Sequence, residues 1–131
     1  MSKTKPKILL AEDDEDIAEI VDFTLREQFP DGLVVELCRN GLEALNELDK
    51  NSYDLIVMDL HMPKIDGITT IQAIRKGDSK NKNVPIVVLS GLTQKLDEIT
   101  DKNVYKNIYV VEKPFKPERL KRVCSMWLSS S

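Results

Sequence analysis

The sequence predicts an α/β fold, a doubly wound sheet with helices on both of its faces. Three observations predict it. Five short runs rich in Ile, Val and Leu are continuous rather than alternating, the pattern of strands buried on both faces in a parallel sheet. The stretches between them place apolar residues every three or four positions, as amphipathic helices do. The two patterns alternate along the whole chain, strand before helix each time, which is the order of βα units wound on one sheet with right-handed crossovers.

Taken in order, the first strand is Ile8–Ala11, and Ile17, Ile20, Val21 and Leu25 make the first helical stripe. Val34–Leu37 is the second strand, followed by Leu42, Leu45 and Leu48 stepping by three. Leu55–Met58 is the third, followed by Ile68, Ile71 and Ile74. A polar loop, Gly77–Asn83, leads through Val84-Pro85 into the fourth strand, Ile86–Leu89, and Leu96 and Ile99 form a weaker fourth helical stretch. Ile108–Val111 is the fifth strand, and Leu120, Val123, Cys124 and Trp127 are the last stripe. All of these apolar positions read as core.

The chain has 131 residues, 41% apolar and 31% charged, with a formal net charge of −3. That is the size and balance of one globular domain, expected over 1–131 with its core at about 6–128 and no output domain. A mildly acidic chain lacks the footprint of a direct nucleic-acid binder. Apolar runs of four or five residues fall far short of the roughly 20 that cross a bilayer, so no membrane partner is expected. The basic N-terminus meets acids at Glu12 and does not read as a signal peptide. Cys38 and Cys124 make neither a disulfide framework nor a zinc site. A reduced, cytoplasmic location follows as the expectation.

Charge is concentrated where Glu12-Asp13-Asp14-Glu15-Asp16 follows the first strand. In open α/β sheets ligands bind at the carboxyl ends of strands. Glu12 and Asp13 lie there, with Asp59 after the third strand, Ser90 after the fourth and Lys113 after the fifth. Three converging carboxylates repel and require a proton or a cation. A hard divalent ion suits oxygen ligands, and Mg²⁺ suits this set best, because it uses one or two carboxylates and keeps waters that phosphate oxygens can replace. With Lys113 and the Ser90 hydroxyl, the set holds the parts that stabilise a transferring phosphoryl group, and a carboxylate can itself be the nucleophile. Each residue alone has a plainer reading. Asp14, Glu15 and Asp16 read as caps or first-turn acids of the helix; Asp59, Ser90 and Lys113 read as loop or surface residues.

Four segments, Ile8–Asp14, Asp54–Gly67, Val84–Gly91 and Lys113-Pro114-Phe115, together resemble the receiver domain of two-component response regulators, the family that includes CheY. The resemblance covers nearly the whole chain and implies a flavodoxin-like (βα)5 fold with strand order 2-1-3-4-5. It implies that Asp59 is the phosphoacceptor, with Ser90 and Lys113 contacting the phosphoryl group. It implies a Mg²⁺ site of Asp13, Glu12 acting through water, Asp59 and the backbone carbonyl of His61. It implies a cis Lys113-Pro114 bond, and Gly67 matches a loop glycine for which positive φ is expected. Its partners would be a sensor histidine kinase or histidine phosphotransfer protein and a downstream target protein. The expected protein is a stand-alone monomer that could dimerise on phosphorylation and is not otherwise an enzyme; a receiver cut from a larger regulator is the variant of this reading. Phosphorylation would bias a two-state face made by the fourth helix, fifth strand and fifth helix.

The sequence departs from the family near the fifth strand. The family often has an aromatic three before the lysine, where Val110 stands here; Tyr109 is one earlier and should face the other way unless a bulge resets the register. Asp101–Asn107 replaces the usual Gly-Ala, which suggests a shorter or irregular fourth helix. Leu92 and His61 flank the expected pocket mouth and are candidates for gating water; Ile17 and Phe115 are candidates for kinase docking or simply for packing. Two alternatives stand beside the main reading. One is a phosphorylation-independent docking module, against which the complete acid set, Ser90 and Lys113 argue. The other is a flavodoxin-like cofactor binder or small α/β enzyme, which needs a phosphate loop after the first strand where this chain supplies acids.

Overall fold

The computed structural model describes residues 5–91 and 106–128. Along the chain run β1 (Lys7–Ala11), α1 (Glu15–Glu27), β2 (Val34–Cys38), α2 (Gly41–Lys50), β3 (Leu55–Asp59), α3 (Gly67–Lys76), β4 (Ile86–Ser90), β5 (Ile108–Glu112) and α4 (Pro117–Ser125). The five strands form one parallel sheet in the order β2-β1-β3-β4-β5, as expected. The expected fourth helical stretch, with Leu92, Leu96, Ile99 and most of Asp101–Asn107, lies outside the described residues. The helix α4 here is therefore the fifth helical stretch of the sequence.

Strand alternation divides the apolar residues between two cores. Leu9, Ile56, Met58, Ile86 and Val88 point to the face covered by α2 and α3, where Ala44, Leu48, Ile71 and Ile74 meet them. Ile8, Leu10, Leu55, Val57, Val87 and Leu89 point to the face covered by α1 and α4, against Val21, Leu25, Leu120 and Val123. β3 and β4 are buried along their full length, which is why their sequences carry no polar alternation.

Double burial fails for β2. Val34 and Leu37 are exposed, because β2 is an edge strand and the flanking helices do not reach past it. Two stripe residues expected in the core are also exposed. Ile20 on α1 and Leu42 at the start of α2 lie on the rims of their apolar stripes, which are wider than the helix–sheet contact. Ile17 and Trp127 are half-buried against the α1–α4 core.

Helix starts follow the sequence. Asp14 caps α1 by accepting from the N–H groups of Asp16 and Ile17 at 2.9 and 3.2 Å, with Glu15 and Asp16 in the first turn. Asn40 caps α2 by accepting from Glu43 N–H at 2.9 Å, and Glu43 reaches back to Arg39 N–H at 3.2 Å. Asp66 caps α3 through Thr69 N–H at 2.7 Å.

At the amino end of the sheet, fully buried Asn81 ties the connection before β4 to the 48–53 stretch leading from α2 to β3 at three points. Its Oδ1 accepts from Tyr53 N–H at 2.8 Å, and its Nδ2 donates to Leu48 O at 2.8 Å and Asn51 O at 2.7 Å. Asn81→Ala leaves these buried groups unpaired. We expect it to lower unfolding stability by about 2–4 kcal/mol, read as a lower urea midpoint at unchanged m.

Candidate functional site

Strand order builds the site. β1 and β3 are neighbours, and Ala11 pairs with Met58, so Glu12 leaves the sheet beside Asp59. Asp59 and Ser90 are the last residues of β3 and β4, and Lys113 follows directly on β5. β4 stands between β3 and β5, so the lysine has to reach across it. Two strand spacings are about 10 Å, within the span of backbone and stem together. Its own backbone is fixed first: Lys113 N–H donates to Ser90 O at 2.6 Å, and the Lys113-Pro114 bond is cis, as the resemblance implies.

The side chains then meet. Lys113 Nζ lies 2.7 Å from Asp59 Oδ2 and 3.4 Å from Glu12 Oε1. Glu12 and Asp59 are buried, whereas Asp13 is exposed at the mouth. Carboxylate oxygens of Glu12, Asp13 and Asp59 lie within 4.8 Å of one another. The other Asp59 oxygen, Oδ1, accepts from His61 N–H at 3.0 Å. His61 thus meets the site through its backbone, and its ring is on the exposed side. The Ser90 hydroxyl bonds Gly91 O at 3.0 Å. All five side chains expected at the site therefore lie at the carboxyl ends of β1, β3, β4 and β5; Leu92 is outside the described residues.

Burial, the hydrogen bond with Asp59 and the charge of Asp59 push the Glu12 carboxyl up to about 8, against the smaller pull of Asp14 N–H and Lys113. Burial works against the Lys113 ammonium, but its bond to Asp59 and the charges of Glu12 and Asp59 outweigh this and raise its pKa. Lys113 reaches only Glu12 and Asp59 of the three acids, and the raised pKa favours a proton on Glu12. The donor set is hard oxygen, one ligand is open to solvent, and a divalent cation would replace that proton. The residues fit Mg²⁺.

Two expectations at the rim are corrected or settled. Gly67 does not have positive φ; among the described residues Gly32 is the glycine that does, and Lys64 takes the left-handed turn in the loop, at φ 69°. Gly67 is demanded by space instead. A Cβ there would stand 2.5 Å from Leu60 Cα and 2.9 Å from Asp59 O, so a side chain would force α3 off the loop. The β4–β5 register runs unbroken from Ile86–Ile108 to Ser90–Glu112, so no bulge turns Tyr109 around. Tyr109 faces α4, its ring centroid 5.1 Å from that of Trp127, and Val110 faces the other core.

The model of the response regulator receiver domain family matches residues 8–125. The chain belongs to this family. The receiver is 36% identical over 118 residues to a Guillardia theta protein named probable transcriptional regulator ycf27, covering 90% of this chain and 43% of that protein. The receiver spans about half the length of the curated relatives it matches. Its backbone matches the chemotaxis response regulator CheY4 of Vibrio cholerae at TM-score 0.80 and 31% identity, over 95% of this chain and 100% of that one. It also matches the receiver domain of sensor histidine kinase PA1611 from Pseudomonas aeruginosa at TM-score 0.79 and 28% identity, over 97% and 100%. That domain carries a magnesium ion in its active site cleft.

One residue of the rim carries no functional signal in the sequence. Ile20 reads there as core, but with Ile17, Pro114, Phe115 and Pro117 it lines an open depression of about 440 Å³ that also borders Lys113. Ile20 shares a stripe with Ile17, and the sequence alone does not show how far α4 covers it.

The raised Glu12 pKa makes metal-free stability depend on pH. Between about 4.5 and 8 the folded protein holds a proton that the unfolded chain releases, so stability is greatest below this window and falls as pH rises through it. In chelator, Glu12→Gln should lose that part of the decline in urea midpoint between pH 5.5 and 8; equal slopes for both proteins would contradict the assignment.

Proposed function

We propose that this receiver takes a phosphoryl group onto Asp59 from a phosphohistidine of a sensor histidine kinase or histidine phosphotransfer protein. The observation that carries the reading is the placement of Asp59: last residue of a buried strand, one oxygen on Lys113 and the other on His61 N–H, inside a cluster of acids able to hold a divalent cation. In the transfer an Asp59 oxygen forms the O–P bond. The P–N bond breaks, and its electron pair stays on the donor imidazole, which takes up a proton.

Glu12, Asp13, Asp59 and the His61 carbonyl would hold Mg²⁺, which when bound neutralises charge on the phosphoryl oxygens. Lys113, tied to Asp59 before the reaction, would move onto a phosphoryl oxygen as the carboxylate becomes an acyl phosphate. The Ser90 hydroxyl, now on Gly91 O, can rotate to donate to another. Water later cleaves the acyl phosphate, so the only turnover is on the protein's own aspartate. The new charge and acceptor oxygens shift the balance between two states of the surface beyond β4 and β5, and with it binding of a target protein. We place the receiver in the cytoplasm. The depression lined by Ile17, Ile20 and Phe115 beside Lys113 supports docking of the donor there.

Incubation with acetyl phosphate and Mg²⁺ should add the mass of one phosphoryl group to the native protein and none to Asp59→Asn. No added mass on the native protein would overturn the proposal. Lys113→Ala should lower the labelling rate at least about 10²-fold, as expected for removal of a charged donor at a transferring group.

A further inference from the structure

We propose that Gly41, at the junction between β2 and α2, is a positioning residue for the acid cluster: its missing side chain sets where the loop carrying His61 stands. The proposal rests on the phosphoacceptor reading of Asp59. The loop of residues 60–66 leaves Asp59 and returns to α3. It is closed on one side by Gly67 N–H, which donates to Leu60 O at 2.8 Å. On its other side it leans on the first residue of α2.

A Cβ on Gly41 would stand 2.7 Å from the Ile65 carbonyl oxygen and 3.1 Å from Ile65 Cβ, and would overlap Thr70 Oγ1. None of these atoms can step aside cheaply. The Ile65 oxygen is backbone. Thr70 is fully buried, and its hydroxyl is held on Asp66 O at 2.7 Å. Gly41 is not among the positive-φ residues, so space rather than conformation demands glycine here.

The junction cannot easily recoil either. The Asn40 cap and the Glu43 back-contacts fix the start of α2. Cys38, the last residue of β2, accepts from Glu12 N–H at 2.9 Å. One short segment, Cys38–Gly41, therefore braces both backbone arms of the cluster: Glu12 through Cys38, and the loop after Asp59 through Gly41. An added methyl must push α2 from the loop or shift the loop itself. That shift falls on the segment whose His61 N–H lies on Asp59 Oδ1 at 3.0 Å. Misplacement of reacting groups by about 1 Å can cost about 10²-fold in rate.

The test uses Gly41→Ala in the full chain. In the metal-free protein the amide resonances of His61, Lys64 and Ile65 should move, while those of Val87 and Val88 stay. Mg²⁺ binding by titration calorimetry should weaken about tenfold, the scale of supporting-residue changes at metal sites. Labelling by acetyl phosphate should slow in parallel. Ala44→Gly, in the same helix, should lower stability and leave Mg²⁺ affinity unchanged. Thr70→Ala opens the same contact rather than crowding it; it should move the same loop amides, and it decides the matter if Gly41→Ala does not fold. Unmoved loop amides and unchanged Mg²⁺ affinity in these variants, or an equal loss of affinity in Ala44→Gly, would overturn the proposal. Native protein that binds no Mg²⁺ would instead overturn the functional reading, and the amide shifts would still decide this one.

Discussion

Carboxylates held close together at the edge of a dry interior repel one another strongly, and the rest of this fold is arranged around tolerating that repulsion. Glu12 and Asp59 are buried side by side with Asp13 at the mouth, and the ammonium of Lys113 spans the first two. Neither burial nor the single lysine relieves the cluster. Burial and the neighbouring Asp59 instead raise the Glu12 pKa and favour a proton there, one that a divalent cation can displace. A site in this condition is primed to respond to added charge, because its members are balanced against each other rather than neutralised.

The parallel sheet makes that balance possible. Antiparallel neighbours would send alternate strand ends to opposite sides of the molecule. Here all five strands finish on one side, and the order β2-β1-β3-β4-β5 puts the acid-bearing β1 and β3 together, with the lysine that follows β5 reaching back across β4. Two separate cores, one on each face, hold the strands rigidly enough that side chains at their ends keep their spacing. The loops add the fine adjustment. Gly67 admits the backbone of Asp59 and Leu60 against α3, and Gly41 admits Ile65 against α2.

Much of this was legible in the sequence because its signals are local or cumulative. Continuous apolar runs marked β3 and β4, and the polar residues just after those runs, Asp59 and Ser90, marked the site. The acids ahead of the first apolar stripe read as caps or first-turn residues, and the structure makes Asp14 the cap with Glu15 and Asp16 in the first turn. What the sequence did not disclose depends on coverage and contact. Val34, Leu37, Ile20 and Leu42 look like any core residue, and only the sheet order and the reach of the helices leave them open. Gly67 matched a motif, but the reason for the glycine was close approach of backbone rather than left-handed geometry. The neighbours of Gly41 are distant in sequence, so no local pattern could have singled it out.

The pairing of Tyr109 with Trp127 has an optical consequence. Trp127 is the chain's single tryptophan, half-buried with its ring 5.1 Å from that of Tyr109. Tyr109 lies four residues before Lys113 on nearly straight strand, about 13 Å from the acid end of the sheet. The protein thus carries a fluorophore fed by a neighbouring tyrosine at the end of the sheet opposite the acid cluster. Its emission reports the seating of the C-terminal helix on β5. A change in that emission when the acid end is loaded is a change that has crossed the sheet.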